Sequence, residues 1–233
     1  MSKEKILREH QLSLIYTIND WNLLEVKRKR AIELLNMLER FKPYVYGSIA
    51  RGNVHAYSDI DIILLDQIPS YQIEMILEQN RIKKYFREII MATPQDSIRL
   101  YIYLSELECI TIPITKLEKK TIQFYDFGGK ISLNQVKKDI RVPGIDKRLV
   151  LIRPTPEGHD ELSIIDNEHI AAKEVGISIE TVNERKKVLL RREKHGRTGV
   201  FLKKELEMDE STEDVMKKLA NRYSIIRKKM FTK

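Results

Sequence analysis

The sequence predicts a mixed α/β protein of the α+β kind: a mixed β-sheet flanked by helices, then a small helix-turn-helix or winged-helix-like C-terminal domain. Three observations support this architecture. Apolar residues recur at helical spacing on both sides of two short β-branched runs. Three further strand-like runs follow one another without a helix between them. Beyond a proline-rich stretch, a short helix, a glycine and a basic helix follow in that order.

Composition limits the classes of protein to which the chain can belong. Its 233 residues are 42% apolar and 33% charged, which is typical of a folded chain with one large domain or two smaller ones. A single cysteine, Cys109, excludes a disulfide scaffold. No run approaches the length of a membrane-spanning helix, so we expect a cytoplasmic protein without membrane partners. The net charge of +8 is compatible with polyanionic ligands such as nucleic acid or nucleoside triphosphates.

The first half of the chain alternates between helical and extended patterns. Leu23–Phe41 has apolar residues three or four apart and predicts a helix that ends before Pro43. Tyr44–Gly47 and Asp59–Leu65 are rich in β-branched and aromatic residues and predict strands. Tyr71–Phe86 returns to helical spacing.

Three strands are predicted next, and the proline-rich stretch after them suggests a domain boundary. The strand-like runs are "REIIMAT", "SIRLYIYL" and "LECITIPI", of which the last two form a predicted hairpin. "RLVLI" is one more predicted strand. We interpret Pro154–Gly158 as the boundary between a domain of residues 1–153 and a domain of residues 159–233.

Most of the net charge of +8 lies between residues 180 and 204 of the C-terminal segment. Glu168–Val175 and Ile179–Lys194 are predicted helices separated by a turn at Gly176, and "GRTGVFLK" after them predicts a wing. Between residues 180 and 204 the chain has nine Lys or Arg and three Glu. A solvated helix face is the usual meaning of such a run, but the helix-turn-helix pattern favours nucleic-acid binding. The predicted nucleic-acid contacts are Arg185, Lys186, Arg191, Arg192 and Arg197.

Two aspartates open the strand that begins near residue 59. Side chains two apart on a strand share a face, so Asp59 and Asp61 project together while Ile60 points the other way. Neighbouring carboxylates repel one another unless a cation lies between them, and hard oxygen ligands suit Mg²⁺ or Mn²⁺. Because magnesium takes its remaining ligands from water and phosphates, the pair predicts a site for a metal-bound nucleoside triphosphate.

A glycine and a serine upstream supply groups that suit phosphates. Gly47 ends a strand without a side chain, and Ser48 can cap a helix beginning at Ile49, so that backbone N–H groups face an incoming phosphate. Arg51 follows one turn later and can add a guanidinium to the same phosphates.

These residues together resemble a known signature. "GSIARG", five intervening residues and "SDIDI" are similar to the Gly-Ser, Ala-Arg-Gly and Asp-x-Asp motif of the polymerase-beta-like nucleotidyltransferase superfamily. The resemblance implies a palm-like catalytic domain in which Asp59 and Asp61 bind two catalytic metals. It also implies that Gly47, Ser48, Arg51 and Ser58 hold the nucleotide, with ATP the expected triphosphate. A nucleoside monophosphate would then be transferred to a hydroxyl acceptor, with release of pyrophosphate.

The resemblance also implies a third carboxylate on a neighbouring strand, shortly before an Ile-Pro or Val-Pro pair. The position three before Pro113 is Ile110, so the sequence departs from the pattern there. Glu108, two residues earlier, is the candidate catalytic acid. Glu88 and Asp96 remain alternatives if the strand order differs.

A second function is compatible with the same sequence. The transferase-like domain could sense nucleotide or mediate assembly in a DNA-binding regulator, including an antitoxin-like role, which would account for the missing acid and the basic helix together. The tail from Ser211 predicts a helix that packs on the chain or on a second subunit, so a homodimer is an open expectation.

Overall fold

The computed structural model describes residues 5–196 and 199–231. Its strands are Gln11–Ile15 (β1), Tyr44–Tyr46 (β2), Ile60–Ile63 (β3), Phe86–Met91 (β4), Arg99–Ser105 (β5), Glu108–Pro113 (β6), Lys130–Ser132 (β7), Gly144–Ile145 (β8), Val150–Thr155 (β9), Gly158–Ser163 (β10) and Leu202–Leu206 (β11). Its α-helices are Ile18–Met37 (α1), Ser48–Arg51 (α2), Ser70–Gln79 (α3), Lys119–Gly128 (α4), Leu133–Lys137 (α5), Glu168–Val175 (α6), Ile179–His195 (α7), Thr212–Arg222 (α8) and Ser224–Phe231 (α9).

Helix α1 begins five residues before the predicted start. Thr17 caps it: the Thr17 hydroxyl accepts from the backbone N–H of Asp20, and the Asp20 carboxylate accepts from the backbone N–H of Thr17. This reciprocal capping box satisfies two backbone groups that would otherwise lack partners. The helix buries Leu34 and Leu35 completely, on the face that the apolar spacing predicted.

A seven-stranded sheet forms the main body of the protein. Its strand order is β11-β4-β5-β6-β3-β2-β7. The β3–β6 pair is parallel and the neighbouring pairs are antiparallel, so the predicted mixed sheet is confirmed. β5 and β6 form the predicted hairpin. Ile60 and Ile62 of β3 and Ile110 and Ile112 of β6 lie in the core with α1, which shields one face of the sheet.

A four-stranded sheet with its own core lies beside the first. Its order is β1-β10-β9-β8, all antiparallel. Helices α6 and α7 occupy the positions predicted for the helix-turn-helix pair, and they pack on this sheet through Ala171, Val182 and Leu189. Phe127 of α4 enters the same cluster, so α4 joins the two cores.

The predicted domain boundary at Pro154–Gly158 and the predicted wing both differ from the structure. Residues 154–158 form a hairpin turn, because β9 and β10 pair across it with Thr155 opposite Gly158. The strand predicted as a wing is β11, which pairs with β4 at the edge of the main sheet. Helices α8 and α9 then bury Met216 and Ile226 in the main core. Residues 159–233 therefore do not form a separate winged helix, because long-range strand pairing divides them between both sheets.

None of the helices in residues 5–196 and 199–231 is both long and apolar enough to cross a membrane.

The close approach of β1 to β10 predicts a sharp effect of substituting Gly158. A Cβ atom there would lie 1.9 Å from the carbonyl oxygen of Leu14, so Gly158→Ala must push β1 away. We expect a loss of about 2 kcal/mol in the free energy of unfolding, which lowers Tm by roughly 4–8 °C. Gly199→Ala is the matched control, because a Cβ there meets nothing within 4 Å. Equal Tm values for the two variants would contradict the β1–β10 packing.

Candidate active site

The two aspartates lie at the start of β3, near the middle of the main sheet. β3 lies between β2 and β6, so Asp61 is opposite Tyr46 on one side and Cys109 on the other. Asp59 precedes the strand and is exposed, whereas Asp61 is partly buried. The charge of Asp59 acts on Asp61, so the two carboxylates are close neighbours, as strand alternation predicts.

The environment of Asp61 disfavours its charge. Burial, and then the negative charge of Asp59, raise the pKa of Asp61 to about 7, and Lys147 lowers it in part. Lys147 is an exposed residue of the loop between β8 and β9 in the four-stranded sheet. Sequence reasoning missed Lys147, since only the packing of one sheet against the other brings it towards the aspartates.

The donor set at the aspartates fits a divalent cation that is also held by a nucleotide. A partly buried carboxylate beside a second carboxylate gains most from a positive ion between them. Within the described ranges no cluster of three or more His, Cys, Asp or Glu side chains has the arrangement of a complete protein metal site. Magnesium suits such a two-carboxylate site, because it usually keeps several waters and shares phosphate oxygens.

Gly47 and Ser48 form a turn directly beside the aspartates. Gly47 has a φ of 81° and a ψ of −144°, a backbone conformation that only glycine adopts readily, and its N–H donates to Gly129 O at 2.8 Å. Gly47, rather than Ser48, is the residue that caps α2, so Ser48 is the first residue of this helix. Its partly exposed side chain is therefore available to an incoming group.

The structure does not place Arg51 where the predicted phosphate contact requires it. Arg51 is buried at 6% exposure, and burial lowers its pKa to about 10. Its Nη1 donates to the carbonyl oxygen of Gly128, and its Nε donates to Asn53 Oδ1 at 3.0 Å. Arg51 therefore holds the end of α4 against α2, because the four-residue helix turns it inward.

Ser58 also has a structural role in place of the predicted nucleotide contact. Its side chain is buried, and its Oγ accepts from the backbone N–H of His55 at 2.9 Å. Lys27 of α1 donates to the Ser58 carbonyl oxygen at 2.8 Å. These bonds close the loop from residue 55 to residue 58 and fix the chain just before Asp59.

Glu108 lies on the wrong face of the sheet for the predicted catalytic acid. It is opposite Ile60 in the β3–β6 ladder, and its neighbour Cys109 is opposite Asp61. Both Glu108 oxygens accept from Arg30 of α1, at 2.7 and 2.9 Å. The prediction chose Glu108 because it shares a strand face with Ile110, three residues before Pro113. That face of β6 points towards α1.

Neither alternative acid completes the site. Glu88 is on the carboxylate face but belongs to β4, three strands from β3, and it accepts from the Tyr103 hydroxyl at 3.0 Å. Asp96 lies in the turn before β5, within electrostatic range of Arg99. The position next to Asp61 on β6 is held by Cys109, and burial followed by the charge of Asp61 raises the pKa of this thiol. Cys109 is therefore a neutral neighbour.

Aromatic residues extend the carboxylate face of the sheet. Tyr101 and Tyr103 project from β5 with their rings 6.5 Å apart, and Tyr103 stacks on Phe86 at 4.1 Å. Tyr125 of α4 meets Tyr46 edge to face, with ring centroids 5.2 Å apart. These tyrosines come from separate segments of the chain, so no local sequence motif predicted that they would lie together.

The five basic residues predicted to contact nucleic acid have different surroundings. Arg185 packs inward, with its Cζ 4.2 Å from the ring centroid of Phe124. Lys186 forms an ion pair with Glu168 of α6. Arg191 and Arg192 are exposed on α7, and Arg197 lies outside the described residues. The predicted contact surface is thus partly internal, because α7 packs against α4 and α6.

Comparison with known proteins agrees with this geometry. Residues 28–125 match the family model described as "Nucleotidyltransferase domain". The matched segment runs from within α1 to within α4, so it contains the Gly47–Ser48 turn and both aspartates, and it ends before α6 and α7. No curated protein and no solved structure gives a significant match to the chain.

The raised pKa of Asp61 predicts that this carboxylate destabilises the metal-free protein. A carboxylate whose pKa is raised from 3.8 to about 7 on folding costs stability that grows as pH rises from about 4 and levels off above 7. Asp61→Asn should therefore raise Tm in the presence of a chelator, by at least ~2 °C at pH 8 and by less at pH 5. Thermal unfolding monitored by circular dichroism measures this. Asp59→Asn is the exposed control, and an equal gain from both variants at every pH would contradict the burial effect.

Proposed function

Because the chain contains a nucleotidyltransferase domain in residues 28–125, we propose that it transfers a nucleoside monophosphate from a nucleoside triphosphate to a hydroxyl group. The observation that carries this proposal is the position of Asp59 and Asp61 on the sheet face beside the Gly47–Ser48 turn. A carboxylate pair and a phosphate-facing turn are the two halves that such a site needs.

Each half has a defined role in the proposed reaction. Asp59 and Asp61 would hold one or two divalent ions, magnesium or manganese, which neutralise charge on the attacking and leaving oxygens when bound. Gly47 leaves space for a phosphate at the start of α2, and Ser48 offers a hydroxyl and a backbone N–H. Lys147 adds a mobile positive charge that can move from Asp61 to a phosphate.

The proton of the attacking hydroxyl needs an acceptor. Asp61 has a raised pKa and lies opposite Cys109 of β6, the strand on which the family pattern places a third acid. Its carboxylate can therefore take the proton in the absence of a third acid at this position, provided that it enters the reaction ionised. The transferred group forms an ester with the acceptor, and pyrophosphate leaves with the electron pair of the broken anhydride bond.

The DNA-binding regulator is the less favoured alternative. Leu202 and Lys203, at the end of the segment expected to form its wing, belong to β11 of the main sheet, and Lys186 forms an ion pair with Glu168. Recognition helices of helix-turn-helix proteins present such side chains to the groove instead. ATP as the nucleotide, nucleic acid as a partner and a homodimer remain predictions.

The test is transfer of label from each α-labelled nucleoside triphosphate, with Mg²⁺, to cellular RNA, to cellular protein and to small hydroxyl compounds. We expect the wild-type protein to transfer label and Asp59→Asn/Asp61→Asn to lose at least ~1000-fold in rate, because both charges that hold the metal are removed. Addition of a chelator should have the same effect. Transfer that persists in the double variant would refute the proposed site.

Glu108→Gln distinguishes the observed strand register from the predicted one. Since Glu108 faces Arg30 on the side of α1, its replacement should leave the transfer rate within about twofold and cost about 1 kcal/mol of stability. Parallel measurement of transfer and Tm checks both effects. A loss of transfer as large as that of the aspartate variants, at unchanged Tm, would instead make Glu108 the catalytic acid.

A further inference from the structure

Two arginines lie near one another on the carboxylate face of the main sheet. Arg99 opens β5 and shares a face with Tyr101 and Tyr103. Arg185 reaches this region from α7, where it packs over Phe124 and lies within electrostatic range of Arg99. Both side chains remain partly exposed, so a ligand can reach them.

These two guanidinium groups lack a close anionic partner. In the part of the chain that the structure describes, neither has a carboxylate within 4.0 Å. The Nε atoms of both are buried without a hydrogen-bond partner. Arg99 Nη1 donates to the Tyr125 hydroxyl at 3.4 Å, while Asp96 and Glu184 act on Arg99 and Arg185 only at longer range.

The surroundings of Arg185 disfavour its positive charge. Burial, followed by the charge of Arg192, lowers the pKa of Arg185 to about 10, and Arg99 acts in the same direction. Partly buried charges are normally paired. Guanidinium groups that converge without a carboxylate are typical of sites for phosphate, which they bind by charge-assisted and often bidentate hydrogen bonds.

The sheet register sets where a phosphate on these arginines would lie. Asp61 of β3 is opposite Cys109 of β6, and Cys109 is opposite Tyr103 of β5. Arg99 lies four residues from Tyr103 along β5, which separates their Cα atoms by roughly 13 Å. Gly47 lies at the other end of the same row, one residue beyond Tyr46. Asp61 therefore lies between the Gly47–Ser48 turn and Arg99.

In-line transfer requires the attacking and leaving oxygens to lie on opposite sides of the reacting phosphorus. If the triphosphate tail occupies the Gly47–Ser48 turn, the acceptor must approach from the side of β5 and β6. Arg99 lies on that side, on β5, and Arg185 lies within electrostatic range of both Arg99 and Tyr46.

Resting on the function proposed above, we propose that Arg99 and Arg185 bind a phosphate group of the acceptor substrate. The acceptor hydroxyl oxygen bonds to the α-phosphorus and the α–β anhydride bond breaks. Pyrophosphate leaves with the electron pair, and the hydroxyl proton passes to a carboxylate or water. The phosphate held by the arginines takes no part in bond changes and orients the acceptor.

Two sources could supply this phosphate. A nucleic-acid strand would carry further phosphates beyond the one that the arginines bind. A small phosphorylated alcohol would end at the arginine pair.

The experiment measures binding of inorganic phosphate, glycerol 3-phosphate and a single-stranded RNA with a free 3′ hydroxyl, by calorimetry. Uncharged glycerol is the negative control. The variants are Arg185→Gln and Arg99→Gln, with Arg185→Lys and Arg99→Lys to test whether charge alone restores binding. Lys187→Gln is the matched control, since it removes one exposed charge two residues from Arg185, on the other side of α7. Circular dichroism confirms folding, and Arg185→Gln alone carries the test if Arg99→Gln is unfolded.

We expect the Kd for inorganic phosphate to rise at least ~10-fold in the Gln variants and to stay within about twofold in Lys187→Gln. Binding of the analogue α,β-methylene ATP with Mg²⁺ should be unchanged in Arg185→Gln. Tighter binding of RNA than of glycerol 3-phosphate, lost in the Gln variants, identifies a strand as the source. Equal binding of the two identifies a small phosphorylated molecule.

Three results would overturn the proposal: no phosphate binding by the wild type, equal losses in Lys187→Gln and Arg185→Gln, or weaker analogue binding in Arg185→Gln by the same factor as phosphate. The last would assign the arginines to the triphosphate. Failure of the proposed function is a separate result, since wild-type protein would then not bind the analogue even where phosphate still binds the arginines.

Discussion

The geometry of the site depends on a partly buried carboxylate held next to a second one at the start of a central strand. Asp61 is flanked on the sheet by Tyr46 and Cys109, and neither neighbour carries a positive charge that could offset its own. A protein keeps such an arrangement at a cost in stability, and the cost falls when a cation binds. The same β2–β3 ladder that holds Asp61 also brings Gly47 to its end, so one pairing register places both halves of the site.

The path of the chain between the two cores fixes what surrounds the aspartates. The N-terminal strand β1 pairs with β10 in the four-stranded sheet, and β11, which follows α7, pairs with β4 in the main sheet. The buried Arg51 donates to the carbonyl oxygen of Gly128 at the end of α4. It also lies within electrostatic range of Asp146 and Arg148 in the loop between β8 and β9. The four-stranded sheet therefore bounds the site as part of one folded unit, and this is how Lys147 comes to act on Asp61.

The face of each strand decides which side chains can take part in chemistry. On β6, Glu108 and Ile110 point to α1, while Cys109 and Thr111 share the face of Asp61. Glu108, the acid predicted from its spacing to Pro113, therefore forms an ion pair with Arg30 instead. On the functional face the neighbours are a neutral thiol, a hydroxyl and tyrosines, with Arg99 at the far end. Beside the two aspartates this face is polar and aromatic, which suits a site whose remaining charges come from its ligands.

Local patterns in the sequence were sufficient for the elements and for the core of the site. Periodicity predicted α1, α6 and α7, and β-branched runs predicted the central strands. The spacing of Gly47, Ser48, Asp59 and Asp61 predicted the resemblance that the family model for a nucleotidyltransferase domain matches over residues 28–125. Each of these patterns depends on interactions within about fifteen residues. The tertiary structure decided the roles that depend on distant partners. It turned Arg51 and Ser58 inward, set Glu108 on the opposite face and made β11 a sheet strand. It also brought Lys147 towards Asp61, and Arg185 towards Arg99. Strand register and packing between remote segments determine these positions, and neither is encoded in the spacing of neighbouring residues.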